Sequence, residues 1–199
     1  TSNKKDIKWY RDFTRGIEII TNEYDIRLVG GDITFGDLNV CVNVFGYSYK
    51  DPILRSNAKV NDLIYISGTL GKGRKGLTDW QNNKKSEYIS DFFRPKARFD
   101  IAEYISNFAS SCIDVSDGLI KDLSSICKLS KVGAIIKFED IPITNDINDL
   151  SYGDDYELCF TCGKEYEEIL NAQGLKPIGK IVEGLNLELL KGNKKVNYT

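Results

Sequence analysis

Ile113-Asp114-Val115-Ser116-Asp117-Gly118-Leu119 decides how the rest of this sequence is read. Cys112-Ile113-Asp114-Val115 has the composition of a short strand. Beyond Gly118, Leu119, Ile120, Leu123, Ile126 and Cys127 recur at helical spacing. A strand therefore passes into a helix across Ser116, Asp117 and Gly118. Asp114 and Asp117 stand three residues apart at that junction, where their mutual repulsion makes a bound cation the natural remedy. Helix-start amides and the Ser116 hydroxyl could then face a phosphate. Ser116 or Asp117 could instead be an N-cap. A cap explains neither Asp114 nor the glycine behind it, which a helix start does not favour, and both readings stay open on these residues alone.

Upstream, Ile7, Tyr10, Phe13, Ile17, Ile20 and Tyr24 form one apolar stripe and predict a helix over residues 5–24. Residues 26–29 and the alternating run 38–44 predict strands. The polar stretch 48–62, with Pro52, predicts a crossing between domains. A strand over 63–67 enters the densest glycine cluster of the chain, Gly68, Gly71, Gly73 and Gly76. Residues 78–94 are polar and predict a mobile connection, and Phe99, Ala102, Ile105 and Phe108 predict a helix behind Pro95. Downstream, strands are predicted over 134–138, 156–161 and 178–182, with a helix over 164–173 stopped at Gly174. A hairpin pairs 187–190 with 195–198 around Gly192-Asn193. Helices and strands mix without a βαβ rhythm, so the fold class is α+β, with helices packed on one side of a mixed sheet.

Two more acidic constellations lie on strand ends. In Val29-Gly30-Gly31-Asp32-Ile33-Thr34, glycines would let the backbone approach a phosphate, and Asp32 could hold the Mg²⁺ that binds it. The same residues suit a tight turn. In Gly153-Asp154-Asp155-Tyr156-Glu157-Leu158, adjacent acids could bind metal or grip a substrate, or could simply be a solvated strand entry. Arg55, in Leu54-Arg55-Ser56-Asn57-Ala58, is a candidate phosphate clamp, though a lone Arg on a polar connection is usually just solvated. Cys159 and Cys162 make a CxxC without a partner pair, which reads as two buried thiols and not as a zinc site.

Composition narrows the classes. The 199 residues include 27 Lys plus Arg and 29 Asp plus Glu, a balance with no electrostatic footprint for nucleic acid or a membrane surface. No apolar run is long enough to span a bilayer. Five irregularly spaced cysteines argue against a disulfide framework and for a cytoplasmic setting. The chain has no histidine, which excludes Ser-His triads and His-ligated zinc within it. It also has no methionine, as expected of a processed or truncated chain.

In order, GGDIT, LRSNA, NDLIYISGTLG, FRPKARF, IDVSDGL and GDDYEL resemble the thiamine-monophosphate kinase family, over about Tyr24 to Phe160. That family belongs to the aminoimidazole ribonucleotide synthetase-like superfamily of ATP-using enzymes. The resemblance implies ATP-dependent, Mg²⁺-assisted, in-line phosphorylation of thiamine monophosphate to thiamine diphosphate. It implies that Asp32, Asp114 and Asp117 ligate Mg²⁺, that Gly31, Asp32, Arg55 and Ser116 bind ATP, and that Asp154 contacts the thiamine substrate. Such transfer works by positioning and charge neutralisation and needs no histidine base. A homodimer is implied as well.

The resemblance also implies two domains. Residues 1–52 would be the C-terminal part of an N-terminal ATP- and Mg²⁺-binding α/β domain, and 53–199 a C-terminal α+β domain, with ATP in the cleft between them. A further segment of roughly ninety residues, comparable to a small domain, is expected before this point, supplying more metal-binding aspartates and part of the dimer interface. Tyr152 and Asp154 stand where the family usually has Gly and Glu, and the stretches near 77–93 and 142–151 are short for it. Two alternatives remain: another ATP-using enzyme of the superfamily, and a nucleotide- or metal-binding module without activity.

Overall fold

The computed structural model describes residues 6–48, 50–192 and 194–196. The chain divides into two compact units, Thr1–Tyr47 and Ser48–Thr199; the division expected from the sequence follows residue 52.

The first unit is built on α1, Ile7–Glu23. Asp6 caps it by accepting from the Trp9 amide at 2.8 Å, which satisfies one of the unpaired donors of the first turn. Trp9 stacks on Phe13 with centroids 5.2 Å apart. Behind α1 the sequence-based expectation of strands at 26–29 and 38–44 is not met. Both stretches form no ladder among the described residues, and Leu28, Val29, Val42 and Val44 are all exposed. Alternation assigns side chains to two faces but supplies no neighbour, and a strand exists only through its pairing.

The second unit holds a seven-stranded sheet in the order β2-β4-β1-β5-β3-β6-β7. The strands are β1 Leu63–Ile66, β2 Ala109–Asp114, β3 Gly133–Lys137, β4 Leu158–Cys162, β5 Gly179–Val182, β6 Leu187–Lys191 and β7 Lys194–Val196. All pairs are antiparallel except β3 with β6, so the sheet is mixed as expected. Helices α2 Lys72–Gln81, α3 Tyr88–Phe93, α4 Phe99–Ile105, α5 Leu119–Ser130 and α6 Glu167–Ala172 complete it.

Alternation along β1 separates two cores. Ile64 and Ile66 join Leu119, Leu123 and Ile126 of α5, whereas Tyr65 joins Phe160, Ile105 of α4 and Leu170 of α6. The helical cover that the sequence predicts for one side of the sheet therefore extends in part to the other.

Two expectations change in this unit. The stretch 78–94 is not a mobile connection but carries the end of α2 and all of α3. Trp80 meets Phe93 edge to face at 5.5 Å, and Lys75 lies 5.4 Å from the Tyr88 ring. Gly76 packs against the Tyr88 carbonyl and Phe92, where a Cβ has no room. One glycine and a few aromatics make this contact, so no apolar stripe announces it. The strand expected from 156 begins only at Leu158, because Asp154 and Tyr156 take left-handed φ values of 63° and 52°. The expected hairpin is present as β6 and β7; Asn193, Asn197 and Tyr198 lie outside the described residues.

Candidate active site

The acidic motifs Ile113–Leu119 and Gly153–Leu158 run side by side where β2 ends and β4 begins. Val115 donates its amide to the Glu157 carbonyl at 2.7 Å, Tyr156 donates to Val115 at 2.9 Å, and Asp154 donates to Ser116 at 3.1 Å. These bonds extend the β2–β4 ladder, in which Asp114 pairs with Leu158, past the end of the regular strands. Gly153 lies so close to the Ser116 carbonyl that a Cβ would collide with it. The result is one loop cluster carrying Asp114, Asp117 and Asp154, all exposed, with Ser116 half-buried among them.

Neither Ser116 nor Asp117 caps α5. The N-cap is Gly118, with φ 110° and no side-chain cap bond. The backbone of Ser151 leaves no room for a Cβ there, so Gly118 is required by both conformation and space. Asp122, almost fully buried, takes over the role by accepting from the Asp117 amide at 3.0 Å. Burial pushes the Asp122 carboxyl above the usual carboxylate range, and the charges of Asp117 and Asp114 add to this, while the Asp117 and Ser116 amides oppose it. Asp117 itself points outward and pairs with Lys121 at 2.7 Å, an exposed contact of little energetic weight.

The third motif divides its acids between inside and outside. Asp155 accepts from the Gly71 amide at 2.7 Å and the Gly73 amide at 3.0 Å, at the start of α2. Burial raises the Asp155 carboxyl despite these two amides, with Asp149 and Glu157 contributing in the same direction. Glu157, also buried, accepts from the Ser67 hydroxyl and from Arg98. Arg98, the last Arg of Arg94-Pro95-Lys96-Ala97-Arg98, thereby fastens the segment before α4 to the start of β4. Beside them Arg74 spans Asp146 at 2.8 Å and the fully buried Asp149 at 3.0 Å. Its guanidinium lies 4.8 Å from the Tyr152 ring, which gives that bulky side chain a place.

Of the residues singled out in the sequence, the structure thus brings together Asp114, Ser116, Asp117 and Asp154. It does not place Arg55 beside them. The Arg55 carbonyl accepts from the Ser130 hydroxyl at 3.1 Å, at the far end of α5. Twelve residues of helix separate that end from Gly118, about 18 Å of axis. Gly31 and Asp32 are exposed in the first unit, and Asp32 makes no side-chain bond among the described residues. Among those residues no group of three or more His, Cys, Asp or Glu side chains is gathered to hold a metal. Asp114 and Asp117 nevertheless suit Mg²⁺, which takes one or two carboxylates and fills its remaining positions with water and phosphate oxygens. Cys159 and Cys162 are buried free thiols, and burial pushes Cys162 up to about 12.

Asp122, Glu157 and Arg98 were not singled out in the sequence, and Asp155 was read only as one of two adjacent acids. The one available signal was that each lies inside or next to a motif whose other members were already singled out.

Comparison with known proteins decides the family. Thiamine-monophosphate kinase of Buchnera aphidicola subsp. Schizaphis graminum is 36% identical over 226 aligned positions, covering all of this chain and 69% of that protein. The chain belongs to the thiamine-monophosphate kinase family. The crystal structure of thiamine-monophosphate kinase from Stenotrophomonas maltophilia K279a superposes with a TM-score of 0.79 at 26% identity, covering 95% of this chain and 69% of that one. AaThiL complexed with AMPPCP and TMP superposes with a TM-score of 0.77 at 24% identity, covering 99% and 70%. No protein-family model matches the chain. Among the described residues no helix is long and apolar enough to cross a membrane.

Proposed function

We propose that the protein containing this chain transfers a phosphoryl group from ATP to thiamine monophosphate, giving thiamine diphosphate and ADP. The observation that carries this reading is the backbone pairing of the two acidic motifs, which sets Asp114, Asp117 and Asp154 on one exposed loop cluster. Membership of the kinase family supports it, as does the similarity to a protein solved with AMPPCP and TMP.

In this proposal Asp114 and Asp117 hold Mg²⁺, which supplies neutralisation of the charge on the transferred phosphoryl group. Asp117 leaves Lys121 to do so. The Ser116 hydroxyl donates to a phosphate oxygen, and the bond from the Asp117 amide to the buried Asp122 carboxylate fixes the turn that carries it. Asp154 contacts the thiamine end of the acceptor. Asp32 as a further Mg²⁺ ligand, and Gly31, Asp32 and Arg55 as ATP contacts, are proposed from the family resemblance. The same holds for residues 1–52 as part of an ATP-binding domain and for a cytoplasmic homodimer. No side chain acts as a base, because direct in-line transfer between two phosphates is governed by placement.

The test is incubation of the intact protein with ATP, Mg²⁺ and thiamine monophosphate. Thiamine diphosphate and ADP are expected in equal amounts, and chelation of Mg²⁺ is expected to abolish both. ATP binding without product would remove the acceptor from the proposal.

A further inference from the structure

Asp154 and Tyr156 both occupy left-handed backbone, at φ 63° and 52°. Such conformations are uncommon for non-glycine residues and persist only where the surroundings hold them. Asp155 lies between them, with both carboxylate oxygens on backbone amides of another element, those of Gly71 and Gly73. These amides belong to the first turn of α2, whose N-cap Gly71 has no side chain to satisfy them. A helix start of this kind suits an anion, and here the anion is Asp155, 84 residues along the chain from Gly71. Gly73 lies directly against the Asp154 carbonyl, where a Cβ would collide. On its other side Asp154 donates its amide to Ser116 at 3.1 Å. Asp154 is thus held between α2 and the turn at Ser116. Its carboxylate is exposed, with the Tyr156 hydroxyl donating to it at 3.3 Å.

We propose that Asp155 is a positioning residue for the acceptor site: seated on the start of α2, it holds Asp154 in the strained conformation that turns the Asp154 carboxylate toward thiamine monophosphate. This rests on the reading of Asp154 as a substrate contact. Two amides of the glycine cluster behind β1, those of Gly71 and Gly73, are accordingly an internal anion seat filled by the protein's own carboxylate.

Asp155→Asn tests this with little change in shape, because its NH₂ must face one of two amide donors. In the intact protein, KM for thiamine monophosphate is expected to rise about tenfold or more, equivalent to about 1.4 kcal/mol, while KM for ATP stays within about twofold. The rise in melting temperature produced by thiamine monophosphate should be lost, and that produced by ATP kept. Gly73→Ala, which leaves Asp155 charged, should give the same split and carries the test if Asp155→Asn does not fold. A lower melting temperature with both KM values unchanged would overturn the proposal, leaving Asp155 a plain helix cap. Equal losses for ATP and thiamine monophosphate would also overturn it. Failure of the parent protein to use thiamine monophosphate would instead sink the function itself.

Discussion

Gly30-Gly31-Asp32 in the first unit and Gly153-Asp154-Asp155 in the second are close to the same tripeptide, yet their surroundings share almost nothing. Gly30, Gly31 and Asp32 are exposed, on backbone with no strand partner among the described residues, and a Cβ on either glycine would meet nothing. Gly153 and Asp155 are half-buried, against the Ser116 carbonyl and the start of α2, and the Asp154 amide is bonded to Ser116. The difference teaches that an acidic turn becomes a positioned group through its neighbours. The tripeptide supplies the carboxylate, and long-range backbone bonds supply its aim.

The largest expected effect breaks the support around the Gly153-Asp154-Asp155 turn. Arg74→Met would leave Asp149, fully buried, with Asn145 as its remaining polar partner, since Asn145 donates its amide to it at 2.7 Å. A loss of about 3 kcal/mol in unfolding free energy is expected by denaturant titration. A change under about 0.5 kcal/mol would show that the cluster is not held as described. Next comes Asp117→Asn, which keeps the turn and removes one charge; a fall in kcat on the order of 100-fold is expected, with melting temperature unchanged. Near-normal turnover would remove Asp117 from the site.

Asp32→Asn sharpens the comparison from the other side. Its exposure and lack of side-chain bonds predict a stability change within about 0.5 kcal/mol, while the proposed metal role predicts a raised Mg²⁺ requirement, read by titrating Mg²⁺ at fixed ATP. Unchanged Mg²⁺ dependence would confine the site to the second unit. The smallest effect concerns pH. Arg74 holds the Asp146 carboxyl below its ordinary range, with the Asn148 amide assisting. The folded state therefore binds that proton less readily than the unfolded chain. The stabilisation is complete above the ordinary carboxylate pKa and is lost as pH falls through the lowered value. Asp146→Asn should flatten this acid limb slightly in melting curves; an unchanged limb would show that Asp146, half-exposed, contributes nothing measurable.

Much of the second unit was legible because its signals are local. The apolar stripe of α5 and the short strands β1 to β6 follow from side-chain period, and Gly174 and Gly192 stop elements at positive φ, as glycine does. The outward acids Asp114, Asp117 and Asp154 were visible because carboxylates beside glycine at strand ends are conspicuous. The roles of Asp122 and Asp155 were not, since an acid that accepts from a backbone amide looks in sequence like any other acid. The α2–α3 pair was hidden because its contact rests on Gly76 and on single aromatics. The strands expected at 26–29 and 38–44 failed for the opposite reason: their pattern is strong, but pairing is a property of two segments.

By itself, then, the amino-acid sequence determined the α+β class, the resemblance to the family, and which short stretches gather carboxylates at strand ends, because those follow from periodicity and from short motifs. Only the tertiary structure decided which of two adjacent aspartates caps a helix 84 residues away and which faces solvent. That choice depends on where α2 lays its unpaired amides, and no local sequence contains that position.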